Sequence, residues 1–238
     1  LAISGMMMAD VMLDADINLT ADADWSGRGT ITVPAGIVVN LNGHRLVVDN
    51  ITGDGRIIDT AATYDLLDGI TSTEGGNQWI NTGVIPGTTT AITLDFTSGP
   101  IVDNLSYFGS GFGASVFLLV GQGVHLRWYG KGNTIGDIEG GVRYVTTVTT
   151  DKQVKVVKAD GTLVGSQTEM ELNNQKNNLH LFRGGSSTFY GVYTLHQLKI
   201  WQNNVPVRDF VPVRRRATGD VGLLDRVNMV FYANQSST

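Results

Sequence analysis

The sequence contains no cysteine, and this absence removes several kinds of site at once. Disulfide bonds, thiolate nucleophiles and zinc–thiolate centres all require cysteine, so none of them operates in this chain. Cysteine-free proteins still occur outside the cell, because a large β domain is stable through its hydrophobic core alone. The missing residue therefore excludes particular chemistry and leaves the location open.

Charged residues are also sparse, at 16% of the 238 positions, and the formal net charge is -5. Nucleic-acid binding depends on a basic surface that releases counterions, and this charge balance does not supply one. No stretch approaches the roughly 18 consecutive apolar residues of a membrane-spanning helix. We therefore expect no nucleic-acid partner and no membrane span.

Glycine, by contrast, is abundant, with 30 residues that suit tight turns. Between these turns apolar and polar side chains alternate over short runs, and no window keeps helical spacing across three turns. The stretch from Thr146 to Val164 alternates in this way around Asp160-Gly161, which is a strong hairpin signal. The chain is therefore predicted to be all-β.

Residues 1–62 differ from the rest of the chain in the pattern of their apolar and polar residues. Polar residues, most of them aspartates, alternate with small or apolar ones from Asp14 to Asp24, which predicts a strand with one apolar face. Later short apolar runs end at glycine or asparagine turns such as Asn42-Gly43, a pattern typical of a β-solenoid with two or three rungs. A meander that adds strands to the following domain is the alternative interpretation.

Residues 63–238 are predicted to form a single β-sandwich. Its closing part contains two hairpin signals. Leu198, Ile200 and Val205 surround an Asn203-Asn204 turn. Apolar residues from Leu223 to Phe231 surround a second turn at Asp225 to Asn228. Such strands need partners to cover their apolar faces, so the preceding residues are expected to complete the sheets.

Three blocks of this region resemble a known family. They are "YDLLDGITSTEGGNQWINTGVIPGTTTAITLDF" from Tyr64 to Phe96, "SYFGSGFG" from Ser106 to Gly113, and "LKIWQNNVPVRDFVPVRRRATGDVGLLDRVNMVFYAN" from Leu198 to Asn234. Together they are similar to the laminin-G-like, concanavalin-A-like jelly-roll domain of bacterial surface proteins and phage virion proteins. The stretch "VPAGIVVNLNGHRLVVDNITGDGRIID" from Val33 to Asp59 resembles rungs of the right-handed β-helices of adhesins.

The resemblance implies two functions of different classes. The first is a non-catalytic carbohydrate-binding or adhesion module, extracellular or at a cell surface, whose partner is a glycan or cell-surface polysaccharide. The alternative is a structural virion protein of a phage, such as a capsid decoration, head-fibre or tail component. Its jelly roll would dock to other copies of the chain, to capsid or tail proteins, or to the host surface. A fold shared by so many proteins does not choose between them.

Catalysis is not expected from the acidic residues. A glycoside hydrolase needs two facing carboxylates, and Asp137 with Glu139, or Glu169 with Glu171, place two acids on one strand face. Neither pair has the third acid of the laminarinase-type signature. The four histidines show no spacing that would converge on a metal. We therefore expect no catalytic residues and no enzyme activity.

Binding residues are predicted from aromatic rings and amide groups, since sugars lay their C–H faces on rings while polar side chains bond their hydroxyls. Core packing is the competing interpretation for each ring. Calcium is the one candidate cofactor, because the resemblance implies a site at the sandwich rim, for which Asp103 and Asn104, or Asp137 and Glu139, are the candidate ligands. The predicted ligand-binding residues are Trp128, Tyr129, Trp201, Tyr190, Tyr193 and Asn174.

Overall fold

The regular elements of the structure, a computed structural model, are β-strands. It describes residues 10–59, 63–72, 78–101, 105–110, 118–128, 133–168, 174–184, 190–233 and 235–236. Within these residues no helix is both long and apolar enough to cross a membrane. The N-terminal strands are β1 (Val11–Met12), β2 (Ile17–Asn18), β3 (Ala23–Asp24), β4 (Thr30–Thr32), β5 (Val38–Asn40), β6 (Leu46–Val47), β7 (Asn50–Thr52), β8 (Arg56–Ile58) and β9 (Tyr64–Leu66). The later strands are β10 (Ile70–Thr71), β11 (Gln78–Asn81), β12 (Thr90–Ser98), β13 (Leu105–Gly109), β14 (Leu118–Gln122), β15 (His125–Trp128), β16 (Asn133–Asp137), β17 (Arg143–Val148), β18 (Val154–Lys158), β19 (Leu163–Gln167), β20 (His180–Leu181), β21 (Tyr193–Gln202), β22 (Val205–Arg215), β23 (Val221–Asp225), β24 (Val230–Ala233) and β25 (Gln235–Ser236).

The chain separates into two compact units. The first consists of Leu1–Leu66 with Arg214–Gly219, and the second consists of Leu67–Val213 with Asp220–Thr238. The sequence-based prediction placed the division between residues 62 and 63 and assigned all later residues to the sandwich.

The first unit contains a short β-solenoid. Its strands pair in parallel in three small sheets, with the orders β1-β4-β7, β2-β5-β8 and β3-β6. Equivalent residues stack above one another, as Ile31 does between Val11 and Ile51. A meander would pair consecutive strands antiparallel, so the parallel register decides between the two predicted alternatives.

Aspartates join neighbouring rungs of the solenoid. The Oδ1 atoms of Asp10, Asp16 and Asp22 accept hydrogen bonds from the backbone N–H groups of Thr30, Val38 and Arg45 at 2.8, 2.8 and 2.9 Å. These acids lie at corners, and β2 and β3 belong to different sheets. The predicted single strand from Asp14 to Asp24 is therefore wrong, because the chain turns between its short strands.

The solenoid core is small. Leu13, Ile31, Val33 and Val39 form its buried cluster, with partly buried residues packed around them. Val39 stacks between Ile17 and Ile57 of the rungs on either side. Solenoid stability is approximately a sum over such neighbouring rungs, and a stack this short has few of them.

The second unit is a sandwich of two antiparallel sheets. The large sheet has the strand order β19-β18-β17-β12-β21-β22-β23-β24, with β10 beside β21. The small sheet has the order β16-β15-β14-β13-β20-β11-β25. The predicted all-β sandwich preceded by a solenoid-like segment is confirmed, and non-consecutive neighbours such as β12 and β21 give it the crossed connections of a jelly roll.

The sandwich core lies between the two sheets. Along β12 buried and partly buried residues alternate, so Ile92, Leu94 and Phe96 all point inward. The small sheet contributes residues that include Phe108 and Trp128, neither of which has any exposed surface. The residues that alternate with these buried ones face outward, and they are the side chains that each sheet presents to a ligand.

The closing hairpins match the prediction. Asn203 and Asn204 both adopt positive φ, at 52° and 62°, as a two-residue turn between β21 and β22 requires. The guanidinium of Arg226 lies 2.6 Å from Oδ2 of Asp209. This ion pair joins β22 to the residue that follows β23 and so holds the closing strands together.

Candidate functional site

An aromatic and basic cluster lies on the outer face of the small sheet. Ile80 of β11 and Leu181 of β20 are register partners and are buried in the core. Their chain neighbours Trp79 and His180 therefore face outward. The two rings lie 4.6 Å apart between centroids, and each side chain is partly exposed.

Arg183, just beyond β20, completes this cluster together with Tyr190. Its guanidinium carbon lies 5.1 Å from the centroid of the Trp79 ring and 6.0 Å from that of Tyr190. A backbone bridge between Arg183 and Tyr190 positions the second ring. Such distances are typical of cation–π contacts, which hold the guanidinium against the two rings. We call Trp79, His180, Arg183 and Tyr190 the Trp79–Arg183 cluster.

Hydrogen bonding in the Trp79–Arg183 cluster is incomplete. Within the described part of the chain, Nε1 of Trp79, Nδ1 of His180 and Nε of Arg183 are buried and have no hydrogen-bond partner. A buried donor left without a partner costs about 1–3 kcal/mol. Three such atoms in one small cluster make it the candidate binding surface among the described residues.

At neutral pH the cluster carries one positive charge, that of Arg183. Burial lowers the pKa of His180, and the nearby positive charge of Arg183 lowers it further. The imidazole is therefore neutral at neutral pH, since its ordinary pKa is already about 6.5. Among the described residues, no carboxylate lies within ion-pairing distance of Arg183.

Two of the predicted ligand-binding residues belong to the core. Trp128 and Tyr193 are fully buried, and the Tyr193 hydroxyl donates a hydrogen bond of 2.6 Å to the carbonyl of Tyr107. A ring with no exposed face cannot stack on a sugar, so the prediction is wrong for both. The alternation in β15 and β21 places each of them on the inward side.

The remaining predicted contacts lie in different places. Tyr190 is part of the Trp79–Arg183 cluster, whereas Trp201 lies on the outer face of the large sheet, opposite Ala91. The side-chain oxygen of Asn174 accepts a hydrogen bond of 3.2 Å from the N–H of Thr88. Tyr129 lies outside the described residues. The structure therefore does not bring this predicted set together.

The acids that were weighed for catalysis have basic neighbours. Oδ1 of Asp137 lies 2.6 Å from Nδ1 of His125, and Oε1 of Glu139 lies 2.9 Å from Nζ of Lys158. Glu169 and Glu171 fall outside the described residues. Asp103 and Asn104, the predicted calcium ligands, do so as well. In the described ranges no group of three or more histidine or acidic side chains is arranged to hold a metal ion.

The sandwich unit also contains a cleft, separate from the cluster. It has a volume of about 210 Å³ and opens beside β10, β11 and β23. Ile80, which lines it, points to the interior, so this cleft lies on the opposite side of β11 from Trp79. Its lining residues are Ile70, Thr71, Ser72, Gln78, Ile80, Phe182, Val221 and Gly222. Among the described residues no charged side chain lines the cleft, and Thr71, Ser72 and Gln78 supply its polar groups.

Sequence reasoning missed three of the four cluster residues. Trp79, His180 and Arg183 are absent from the predicted ligand-binding residues, which include only Tyr190 of this cluster. The local signal was present, because His180 and Trp79 each precede an apolar residue of a short strand. Their proximity depends on the pairing of β11 with β20, which joins distant parts of the chain.

The molecule is thus a two-sheet antiparallel β-sandwich that carries a short β-solenoid. No protein-family model and no curated protein sequence matches the chain.

Among solved structures, the chain is similar to the CBM40 of Ruminococcus gnavus IT-sialidase bound to α2,3-sialyllactose. The identity is 13% and the TM-score 0.42, over 58% of this chain and 90% of that one. It is also similar to the heptameric SAP-like pentraxin of Limulus polyphemus, at 11% identity and a TM-score of 0.38, over 55% of this chain and 72% of that one.

A third similar structure is the full-length tailspike protein 2 of an Escherichia coli bacteriophage. The identity is 10% and the TM-score 0.36, over 81% of this chain and 42% of that one. At these identities the likenesses concern the fold and leave the ligand, the partners and the family of this chain to the proposals below.

Proposed function

We propose that the chain is a non-catalytic carbohydrate-binding module and that the Trp79–Arg183 cluster is its contact surface. The observation that carries the proposal is the combination of two partly exposed rings with an arginine held against both and unpartnered nitrogen atoms beside them. Carbohydrate sites combine an aromatic surface for the sugar C–H groups with a few fixed polar groups that set orientation. An extracellular or cell-surface location follows from this proposal.

The absence of catalysis is part of the proposal. Its support is that Asp137 and Glu139, which were the strongest candidates in the described residues, are each engaged by a basic side chain. A retaining or inverting glycosidase needs a carboxylic acid that protonates the leaving group and a second, facing carboxylate. Steady release of reducing sugar by the purified protein would contradict this part of the proposal.

Two tryptophans on opposite outer faces provide a matched test. Trp79→Ala removes the ring of the small sheet, and Trp201→Ala removes the ring of the large sheet. We expect binding on a glycan array to weaken at least ~10-fold in Trp79→Ala, which corresponds to about 1.4 kcal/mol. Binding by Trp201→Ala is expected to match the unsubstituted protein.

The opposite pattern would move the site to the large sheet and refute the proposed surface. If both variants lost binding, circular dichroism would show whether each of them is folded. A folded Trp201→Ala variant that does not bind would also contradict the proposal. No binding of any glycan by the unsubstituted protein would refute the function itself.

The second candidate function is a structural virion protein that assembles through its N-terminal part. The observation that favours it is the short solenoid, whose first rung leaves the outer edges of β1, β2 and β3 without a neighbouring strand among the described residues. Exposed strand edges promote pairing with other chains. Light scattering after size exclusion tests this: a stable trimer or larger assembly supports the virion role, and a monomer contradicts it.

A further inference from the structure

We propose that the Trp79–Arg183 cluster recognises a sugar carboxylate, with Arg183 as the residue that holds it, so that the ligands of the module are acidic glycans. The inference rests on the proposed carbohydrate-binding function and adds the charge of the sugar to it. Three features of the cluster lead to a carboxylate: a cation with no ion-pair partner among the described residues, a set of hydrogen-bond donors, and a planar guanidinium in a fixed position.

The first feature is the missing counter-ion of Arg183. Elsewhere in the sandwich Arg143 lies 2.8 Å from Asp95 and Arg226 lies 2.6 Å from Asp209, whereas no described carboxylate lies within 4.0 Å of Arg183. The side chain is nevertheless partly buried. A cation that has lost part of its hydration is stabilised by an anion, and in this cluster the anion is left to the ligand.

The second feature is the type of polar atom that lacks a partner. Trp79 Nε1 and Arg183 Nε are donors without any acceptor capacity, and the neutral His180 donates from one of its two ring nitrogens. An ionised carboxylate accepts hydrogen bonds and donates none, so it fits a cluster of donors. A sugar hydroxyl both donates and accepts, and its own hydrogen would find no acceptor on Trp79 Nε1 or Arg183 Nε, so only a ring nitrogen of His180 could receive it.

The third feature is the position of the guanidinium. Its contacts with the rings of Trp79 and Tyr190 restrict its rotation, so little conformational freedom is left to lose on binding. A planar guanidinium binds a carboxylate through two parallel hydrogen bonds, a geometry that a lysine ammonium does not offer.

Access to these nitrogens requires a small rearrangement. The three atoms are covered by surrounding side chains, although Trp79, His180 and Arg183 are each partly exposed as residues. Rotation of side chains is common when a ligand binds, while the backbone stays in place. Because the indole of Trp79 takes part, binding is expected to change the tryptophan fluorescence of the protein.

The test compares sugars that differ in one carboxylate. Sialyllactose is titrated against lactose, and trigalacturonate against its methyl ester, with calorimetry and tryptophan fluorescence as readouts. We expect binding of at least one acidic sugar and at least ~10-fold weaker binding of its neutral counterpart. Arg183→Gln is expected to abolish this preference, and Arg183→Lys to restore only part of it, because the charge returns without the planar fork.

Arg143→Gln is the matched control, because it removes a partly buried arginine from the large sheet, and it is expected to keep the preference. Equal binding of acidic and neutral sugars, lost in Trp79→Ala, would overturn the carboxylate assignment and leave the carbohydrate-binding function standing. Binding of sulfated sugars alone on a glycan array would also overturn it. If the protein bound none of these four probes and no acidic glycan on the array, this inference would be overturned. If it bound no glycan at all, the proposed function would be overturned as well.

Discussion

Arg143 on the large sheet and Arg183 beside the small sheet are both partly buried, but they are used differently. Nε and Nη2 of Arg143 donate to the two carboxylate oxygens of Asp95, both at 2.8 Å, and this hydrogen bonding raises the pKa of Arg143. Arg183 is held by two rings and has no such partner among the described residues. A paired arginine contributes to the fold, whereas an unpaired one is available to a ligand.

The same contrast extends across the two sheets. At the closing strands of the large sheet, Oδ1 of the fully buried Asp225 accepts hydrogen bonds from the N–H groups of Asp209 and Val227, both at 3.1 Å. Its Oδ2 accepts one of 2.7 Å from Asn228. Among the described residues, the Trp79–Arg183 cluster has three nitrogen atoms without hydrogen-bond partners. The oxygens of Asp225 are therefore engaged within the fold, whereas the nitrogen atoms of the cluster are available to a ligand.

The largest effect is expected where the paired network is broken. Asp225→Ala removes the acceptor of the hydrogen bonds from the N–H groups of Asp209 and Val227 and from the side chain of Asn228, and it removes the negative charge near Arg208. Removal of one partner from a buried charge network typically costs about 3–5 kcal/mol. Urea unfolding is expected to show a loss of this size.

The exposed Asp54→Ala is the control, and its free energy of unfolding should stay within about 0.5 kcal/mol of the unsubstituted protein. If Asp225→Ala lost no more than this control, the network would not be what holds the closing strands.

The two arginines should respond in opposite ways to the same substitution. Arg143→Gln is expected to lower the free energy of unfolding by about 0.2–1 kcal/mol, a range that reflects the solvent exposure of this ion pair. Arg183→Gln is expected to leave it nearly unchanged, since a weak cation–π contact and an unsatisfied donor are removed together. The preference for the acidic sugar over its neutral counterpart should be lost only in Arg183→Gln. A larger loss of stability in Arg183→Gln than in Arg143→Gln would make Arg183 a structural residue.

Much of the fold was predictable because its signals are local. Asn203-Asn204 and Asp160-Gly161 favour tight turns in any context, so the hairpins were predicted at the observed positions. Alternation along β12 and β17 likewise reflects burial of one face of each strand. The solenoid was less certain, since strands of two or three residues do not reveal whether their neighbours run parallel.

The candidate site was predicted poorly, for two physical reasons. Trp128 was predicted to contact the ligand. However, apolar Leu126 stands two residues before it and charged Arg127 lies between them, and this alternation indicates that the Trp128 ring faces the core. That signal was present and was not used. The proximity of Trp79 to Arg183 is different, because it depends on the pairing of β11 with β20, which no local pattern encodes.

A local effect is expected in the solenoid, where aspartate carboxylates accept hydrogen bonds from backbone N–H groups. Asp16→Ala removes the acceptor of the Val38 N–H, a hydrogen bond with a net contribution of about 0.5–1.5 kcal/mol. Hydrogen exchange at the Val38 amide should become faster, by up to about tenfold. Asp14→Ala, another exposed acid of the same rung, should leave this rate unchanged. Equal acceleration in both variants would show that loss of charge, and not loss of the acceptor, is responsible.

The smallest effect is expected from the pH dependence of His180, which is partly exposed. Its pKa in the folded protein lies below the ordinary 6.5, because burial and then the charge of Arg183 oppose protonation. As the pH falls, His180 of the unfolded chain therefore takes up a proton before His180 of the folded protein does. The free energy of unfolding has its full value above about pH 6.5 and declines as the pH falls from there through the lower pKa of the folded state. In His180→Gln this part of the decline should disappear from urea midpoints measured between pH 8 and pH 5, whereas His125→Gln should retain it. An unchanged decline in His180→Gln would mean that the imidazole does not face Arg183 as the cluster requires.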